Sequence, residues 1–110
     1  MKRTGEPLVR TVEITMNWPL GFHLRPVMRF VKYARQFHSA IRLRKGIVTA
    51  NGKNILGLLI LAVAWKSKLH IEAEGDDAEQ AIEGIKAFFL TPQKDKWPLL
   101  LKWRVKQRED

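Results

Sequence analysis

One histidine and one arginine lie at the predicted beginning of a helix, in the segment Gly21-Phe22-His23-Leu24-Arg25-Pro26. Pro26 suits the first turn of a helix, where its missing N–H costs nothing. A helix N-terminus presents unbonded N–H groups and partial positive charge, and both favour an anion. A histidine at this point can accept a phosphoryl group whose charge is already neutralised by its surroundings.

The chemistry of such a transfer needs a neutral imidazole nitrogen as the nucleophile. The helix end and Arg25 both disfavour the imidazolium ion, and after transfer both stabilise the phosphoryl oxygens. We expect the donors to be the backbone N–H groups of Leu24 and Arg25, since Pro26 has none. The alternative is that His23 is a solvated loop histidine. The two other histidines, His38 and His70, are expected to be structural.

The elements that must position these residues follow from apolar spacing and turn signals. The order βαββαβα predicts an α+β fold in which helices cover one face of a four-stranded antiparallel sheet. Asn54 is expected to cap the second helix, and Asp76 with Glu79 to form a variant capping box at the third. The predicted elements are strands 8–16, 40–44, 47–50 and 69–73 and helices 26–37, 55–61 and one that begins at 75–77 and ends at Thr91-Pro92.

Composition restricts the class of protein. The 110 residues predict one domain, residues 1–90, followed by a basic, Trp-containing extension, residues 91–110. The absence of cysteine excludes disulfides, zinc-thiolate sites and thiol catalysis, and we expect no metal and no cofactor. No signal peptide is apparent, and the longest apolar run, 55–65, is too short to span a bilayer. A soluble cytoplasmic protein without a transmembrane segment is therefore expected.

The charge is strongly basic, with a formal net charge of +9. No Asp or Glu occurs between Glu13 and Glu72, a stretch that contains ten Lys and Arg residues. Such a surface attracts nucleic acid, anionic lipid or an acidic protein partner, and charge alone does not choose among them.

Two motifs in this sequence resemble those of the HPr family, the histidine phosphocarriers of the bacterial sugar phosphotransferase system. Residues 21–26 resemble the family signature G-x-H-x-R-P, and residues 51–59, Asn-Gly-Lys-Asn-Ile-Leu-Gly-Leu-Leu, resemble its second motif, N-G-K-S-I-L-G-L-L. The gap between His23 and Asn54 equals the family gap between its histidine and its serine. Residues 72–78 are similar to the A-E-G-x-D-A opening of the family's last helix, so the resemblance covers about residues 9 to 90.

The resemblance implies the open-faced β-sandwich of HPr, with four antiparallel strands and three helices. It also implies a phosphoryl relay, in which enzyme I phosphorylates the histidine Nδ1 and the carrier passes the group to a sugar-specific IIA domain. His23 is then the phospho-acceptor and Arg25 the cation that stabilises the phosphoryl group. Such a protein is a carrier with a covalent phosphohistidine rather than a stand-alone catalyst. Enzyme I and IIA-type proteins are the expected partners, and no nucleic acid is expected.

A partner surface is predicted on two helices. Arg25, Arg29, Lys32 and Gln36 recur at helical steps opposite the apolar stripe, and Met28 and Arg35 flank that row. On the short second helix, Ile55, Leu56 and Leu59 cannot all point inward. In HPr relatives the corresponding apolar residues dock into partners within a basic rim, the usual anatomy of an interface.

The sequence departs from the family at several positions. Asn54 replaces a serine that a regulatory kinase phosphorylates in many relatives, so this form of regulation is not expected here. Leu24 and Met28 are bulkier than usual, and Lys66 replaces a common turn glycine. Two other functions stay open: a diverged regulatory module that binds a protein target, and nucleic-acid binding by the basic face. The segment Trp97–Trp103 is expected to pack on the domain or to self-associate, with membrane or partner binding as alternatives.

Overall fold

The structure, a computed structural model, describes residues 8–92. Its elements alternate in the predicted order βαββαβα, so the predicted α+β fold is confirmed. In chain order they are β1 Val9–Thr15, α1 Leu24–Ala34, β2 Ala40–Lys45, β3 Val48–Asn51, α2 Ile55–Leu61, β4 Lys68–Glu74 and α3 Ala78–Leu90. The predicted extension from residue 91 onward lies outside the described residues, apart from Thr91 and Pro92.

The four strands form one antiparallel sheet in the order β1-β4-β2-β3. The last strand lies between the first two because β4 pairs with β1 through Val12↔Ile71 and with β2 through Leu43↔Ile71. Alternate residues of β4 are buried, as the period of two requires: Leu69, Ile71 and Ala73. The helices pack on this buried side, with α3 against β1 and β4 and α2 against β2 and β3. The opposite face of the sheet is polar.

Aromatic side chains fill the end of the core where α1 begins and α3 ends. Trp18 stacks on Phe89 with ring centroids 5.3 Å apart, and Phe22 meets Phe89 edge to face at 5.2 Å. Phe30 contacts both Phe22 and Phe88. Such offset and edge-to-face pairs contribute beyond their area burial, so this cluster fixes α3 against the loop that precedes α1.

The first helix differs from its prediction at both ends. It begins at Leu24 rather than Pro26, and Pro26 is its third residue, still within the first turn where an N–H has no partner in the helix. It ends at Ala34 rather than Phe37. Beyond Ala34 the backbone tightens, since Gln36 donates its N–H to Tyr33 and Phe37 donates its N–H to Ala34. Phe37 keeps its apolar contact with Tyr33, at a centroid distance of 5.3 Å, which explains the helical periodicity in the sequence.

The cap predicted for α3 is wrong. Asp77, not Asp76, occupies the N-cap position, and its side chain makes no cap hydrogen bond. The carboxylate turns instead to the segment after α1. It accepts hydrogen bonds from the backbone N–H groups of His38 and Ser39 at 2.8 and 2.9 Å and from the Ser39 hydroxyl. These donors lower the pKa of Asp77 to about 2, the Ser39 hydroxyl having the largest effect.

One local prediction is confirmed. The Asn54 side chain accepts a hydrogen bond from the N–H of Gly57 at 3.2 Å, so it caps α2. Lys66, which stands where a turn glycine is common in the family, has a φ of 70°. A side chain in this left-handed region strains the backbone. Within residues 8–92, no helix combines the length and the apolar character needed to cross a membrane.

Candidate functional site

His23 is the N-cap residue of α1, at the junction of a loop and the helix. Its backbone is extended, with φ −93° and ψ −174°, and its carbonyl accepts the first helical hydrogen bond, from Val27 at 2.9 Å. The imidazole makes no cap hydrogen bond, and the residue is half-buried. Leu24 and Arg25 follow as the first two residues of the helix, so their N–H groups belong to its positively polarised end.

The loop before His23 is hydrogen-bonded to the turn that follows α2. The N–H of Phe22 donates to the carbonyl of Val63 at 2.8 Å. Gly21 has a φ of 70°, and a Cβ on it would lie 2.6 Å from the same carbonyl oxygen. Only glycine allows both this conformation and this close approach. The position of His23 therefore depends on a contact between segments about forty residues apart in the sequence.

Trp18 holds the same loop from the other side. Its indole Nε1 donates to the carbonyl oxygen of Thr91 at 3.1 Å, just beyond the end of α3. The ring is almost fully buried and contacts Phe22, the neighbour of His23, with centroids 6.2 Å apart. Thr91 thus lies at the end of the domain that carries His23.

The predicted basic row lies on the exposed face of α1. Arg25, Arg29 and Lys32 are exposed, while the opposite face buries an apolar stripe of Val27, Phe30, Val31 and Ala34. Arg35 is also exposed, and its guanidinium donates to the carbonyl of Lys53 at 3.3 Å, immediately before α2. The predicted residues of α1 are therefore on one accessible side.

The predicted apolar residues of α2 divide between core and surface. Leu56 is 65% exposed, whereas Ile55 and Leu59 are half-buried and pack against the core. Met28, on α1, is 52% exposed. Leu58 and Leu61 fill the core side of α2, which leaves the other side facing outward.

The two helices lie side by side and run in opposite directions. The end of α1 meets the start of α2 through Arg35 and Lys53, and the loop before α1 meets the turn after α2 through Phe22 and Val63. Arg35 shares its edge of α1 with Leu24 and Met28, because positions 24, 28 and 35 repeat on one edge of a helix. Leu24 and Met28 therefore border α2 across from its exposed residues.

This arrangement identifies apolar surface residues that the sequence analysis did not select. Leu20 and Ile60 are 46% and 68% exposed. Ile60 lies one turn after Leu56 on the same face of α2, and Leu20 lies in the loop before His23. The spacing of Leu56 and Ile60 was the available signal. We call the set of exposed residues beside His23 the apolar patch; it comprises Leu20, Leu24, Met28, Leu56 and Ile60.

The two other histidines lie elsewhere. His70 is on the polar face of the sheet, where its Nε2 is 2.8 Å from a carboxylate oxygen of Glu13. His38 follows α1, 4.0 Å from Asp76, and forms with Asp76 and Asp77 a group whose ligand atoms lie within 4.8 Å of one another. Both oxygens of Asp77 already accept hydrogen bonds from residues 38 and 39, so this carboxylate serves the fold.

The Lys and Arg residues between Glu13 and Glu72 lie on different surfaces of the molecule. On the polar face of the sheet, Arg42 donates to Glu72 at 2.7 Å and to Glu74 at 2.5 Å, and these bonds raise its pKa. The acidic cluster of β4 thus neutralises part of the basic charge on the sheet. The cations of α1 lie on the other layer of the molecule, beside the apolar patch.

Comparison with known proteins identifies one family model and several relatives. Residues 10–90 match a family model described as PTS HPr component phosphorylation site. The chain is 39% identical to phosphocarrier protein HPr of Lysinibacillus sphaericus over 70% of this chain and 88% of that protein. It is 35% identical to HPr-like protein Crh of Bacillus subtilis over 69% of this chain and 89% of that one. The crystal structure of HPr from Bacillus anthracis superposes with a TM-score of 0.71 at 33% identity, covering 74% of this chain and 96% of that chain.

Proposed function

The chain belongs to the HPr family of phosphocarriers of the phosphotransferase system, and from this premise we propose that His23 accepts a phosphoryl group from phosphorylated enzyme I and passes it to IIA-type domains. The observation that carries this proposal is the position of His23 as the N-cap of α1, directly before the N–H groups of Leu24 and Arg25. The nitrogen attacks phosphorus as the bond to the donor breaks, and the new bond later breaks when the acceptor attacks.

The first turn of α1 supports both directions of this transfer. The N–H groups of Leu24 and Arg25 and the Arg25 guanidinium complement the charge of a phosphoryl group on His23, which is spread over its oxygens. Because Leu24 and Arg25, which follow the histidine, are exposed, we expect the group to be accessible to an acceptor. A carrier needs this balance, since a phosphate held too tightly is not passed on.

Docking is the second requirement, and the surface around His23 has the composition of an interface. Met28, Ile55, Leu56 and Leu59 supply apolar contact area, and Arg25, Arg29, Lys32 and Arg35 supply a basic rim. An acidic partner surface gains association rate from such a rim.

The test is incubation with phosphoenolpyruvate and enzyme I, followed by intact-mass measurement. We expect one acid-labile phosphoryl group on the full chain, absent from His23→Ala and retained in His38→Ala and His70→Gln. The two control histidines lie away from the first turn of α1, which makes them matched removals of an imidazole. The proposal is wrong if enzyme I from several bacteria leaves the chain unlabelled, or if His23→Ala is still labelled.

The similarity to Crh of Bacillus subtilis, described as a catabolite repression HPr, favours a second candidate, a regulatory module that binds a protein target according to its phosphorylation state. Asn54 bears on this candidate because an amide cannot accept the phosphate that a serine would. The two functions differ in the fate of the group on His23. Transfer from labelled chain to an IIA domain indicates the carrier. Stable labelling without such transfer, together with phosphorylation-dependent capture of a regulator, indicates the module.

A further inference from the structure

The members of the apolar patch come from two neighbouring helices and the loop before α1. Its members range from 46% to 68% exposed; Leu24 and Met28 lie on α1, and Leu56 and Ile60 lie on α2. Exposed apolar surface of this kind marks a place where another surface binds.

The chain beyond α3 starts at this same end of the molecule. Trp18 fixes the Thr91 carbonyl beside the loop that carries Leu20 and leads to His23. An extended chain covers about 3.3 Å per residue. Residues 97–105 are six to fourteen positions beyond Thr91, so their greatest possible distance from Thr91 is roughly 20–45 Å. The helix α1, with 11 residues, is only about 16 Å long. The linker is therefore long enough for residues 97–105 to contact the patch.

The segment 97–105 has the side chains that such a patch binds. It contains Trp97, Leu99, Leu100, Leu101, Trp103 and Val105. A tethered segment also has a high effective concentration, at the millimolar level for a short linker, so even a weak contact is populated.

We propose that residues 97–105 pack in cis on the apolar patch and compete there with partner proteins. The cations in this segment, Lys102 and Arg104, meet a rim that is also basic, Arg25, Arg29 and Lys32. Apolar attraction opposed by like-charge repulsion gives a weak contact that an acidic partner displaces. The competition rests on the proposed function, whereas the packing does not.

The absence of cysteine allows a direct test on the full chain. Leu56→Cys places a reporter thiol in the patch, and Ile47→Cys places a matched one at the β2–β3 turn, where Ile47 is 98% exposed. Each is combined with the native segment or with Leu99→Ser, Leu100→Ser and Leu101→Ser together. With the native segment we expect maleimide to label Leu56→Cys about 3- to 10-fold more slowly, which corresponds to a contact present most of the time. The rate at Ile47→Cys should be the same with both segments.

Amide hydrogen exchange measures the same contact in a chain whose apolar patch carries no substitution. Residues 24–28 and 56–60 should exchange more slowly with the native segment than with the three serines. Equal rates in both measurements would overturn the proposal. So would protection that grows with protein concentration, which indicates a second copy, or protection that requires phosphatidylglycerol vesicles, which indicates a lipid surface.

The dependence of the protection on NaCl concentration further distinguishes packing in cis from the other causes. Packing in cis should persist or strengthen as NaCl is raised, because salt screens repulsion between the two basic surfaces. Protection that disappears with salt would contradict the proposal. None of these measurements requires enzyme I, so their failure is distinct from failure of the phosphocarrier assay. If both proposals hold, the three serines also increase the rate of phosphorylation by enzyme I.

Discussion

The backbone N–H of Phe22 donates to the carbonyl oxygen of Val63 at 2.8 Å, and this hydrogen bond joins the loop that ends in His23 to the turn that follows α2. The two segments come this close because Gly21, the preceding residue, has no side chain to separate them. The position of His23, the candidate phospho-acceptor at the start of α1, therefore depends on the turn that follows α2.

Gly21→Ala should displace this loop. The new Cβ would lie 2.6 Å from the Val63 oxygen at a φ of 70°, so we expect a loss of about 2–4 kcal/mol in the free energy of unfolding and slower phosphorylation of His23. Gly46→Ala is the matched control, because Gly46 has a φ of 60° and a Cβ added to it would meet nothing within 4 Å. It should cost only about 1 kcal/mol. Equal losses in urea unfolding would contradict the close-contact argument.

Asp77→Asn should change the acid dependence of stability. The folded-state pKa of Asp77, about 2, lies below its usual value of 3.8, so its contribution is present above pH 4 and is lost as the pH falls toward 2. Allowing for partial exposure, we expect about 1–2 kcal/mol less stability near neutral pH and a flatter profile between pH 4 and 2. Asp76→Asn, whose side chain is 74% exposed, is the control for urea unfolding across this range. An identical pH profile for Asp77→Asn and the parent would refute this.

Lys66→Gly should stabilise the protein. Glycine adopts the φ of 70° without strain, and we expect a gain of roughly 0.5–1 kcal/mol in the free energy of unfolding. Lys66→Ala tests the alternative that the side chain itself matters, since the ammonium lies 4.4 Å from the centroid of the Trp65 ring. Alanine keeps the strain and loses this cation–π contact, so it should be neutral or up to about 0.5 kcal/mol less stable. A gain with alanine as large as with glycine would show that backbone strain is not the cause.

Leu56→Ser should weaken docking without weakening the fold. Because Leu56 is 65% exposed, its truncation leaves no cavity, and the free energy of unfolding should change by less than about 0.5 kcal/mol. We expect KM for phosphorylation by enzyme I to rise about 5- to 30-fold, the effect of losing one central apolar contact. Ile47→Ser, at the far turn, should leave KM unchanged. A normal KM for Leu56→Ser would remove α2 from the proposed interface.

Local patterns in the sequence were sufficient for the order and type of every described element. Strand alternation placed Leu69, Ile71 and Ala73 on the buried face, and the bounds of α2 follow from Asn54 as its cap. These features depend on neighbours within a few residues, which the sequence displays directly. The motif around His23 is likewise local, so the candidate phospho-acceptor and Arg25 were selected without coordinates.

Only the tertiary structure determined which residues far apart in the sequence are in contact. The carboxylate of Asp77 binds the N–H groups of residues 38 and 39 in the segment after α1, and that helix ends three residues earlier than its apolar periodicity predicts. The exposure of Leu20 and Ile60 is a property of the folded chain, and Trp18 reaches Thr91 across 73 positions. Apolar spacing records whether a side chain is buried, but the choice of partner comes from packing among segments that are far apart in the chain.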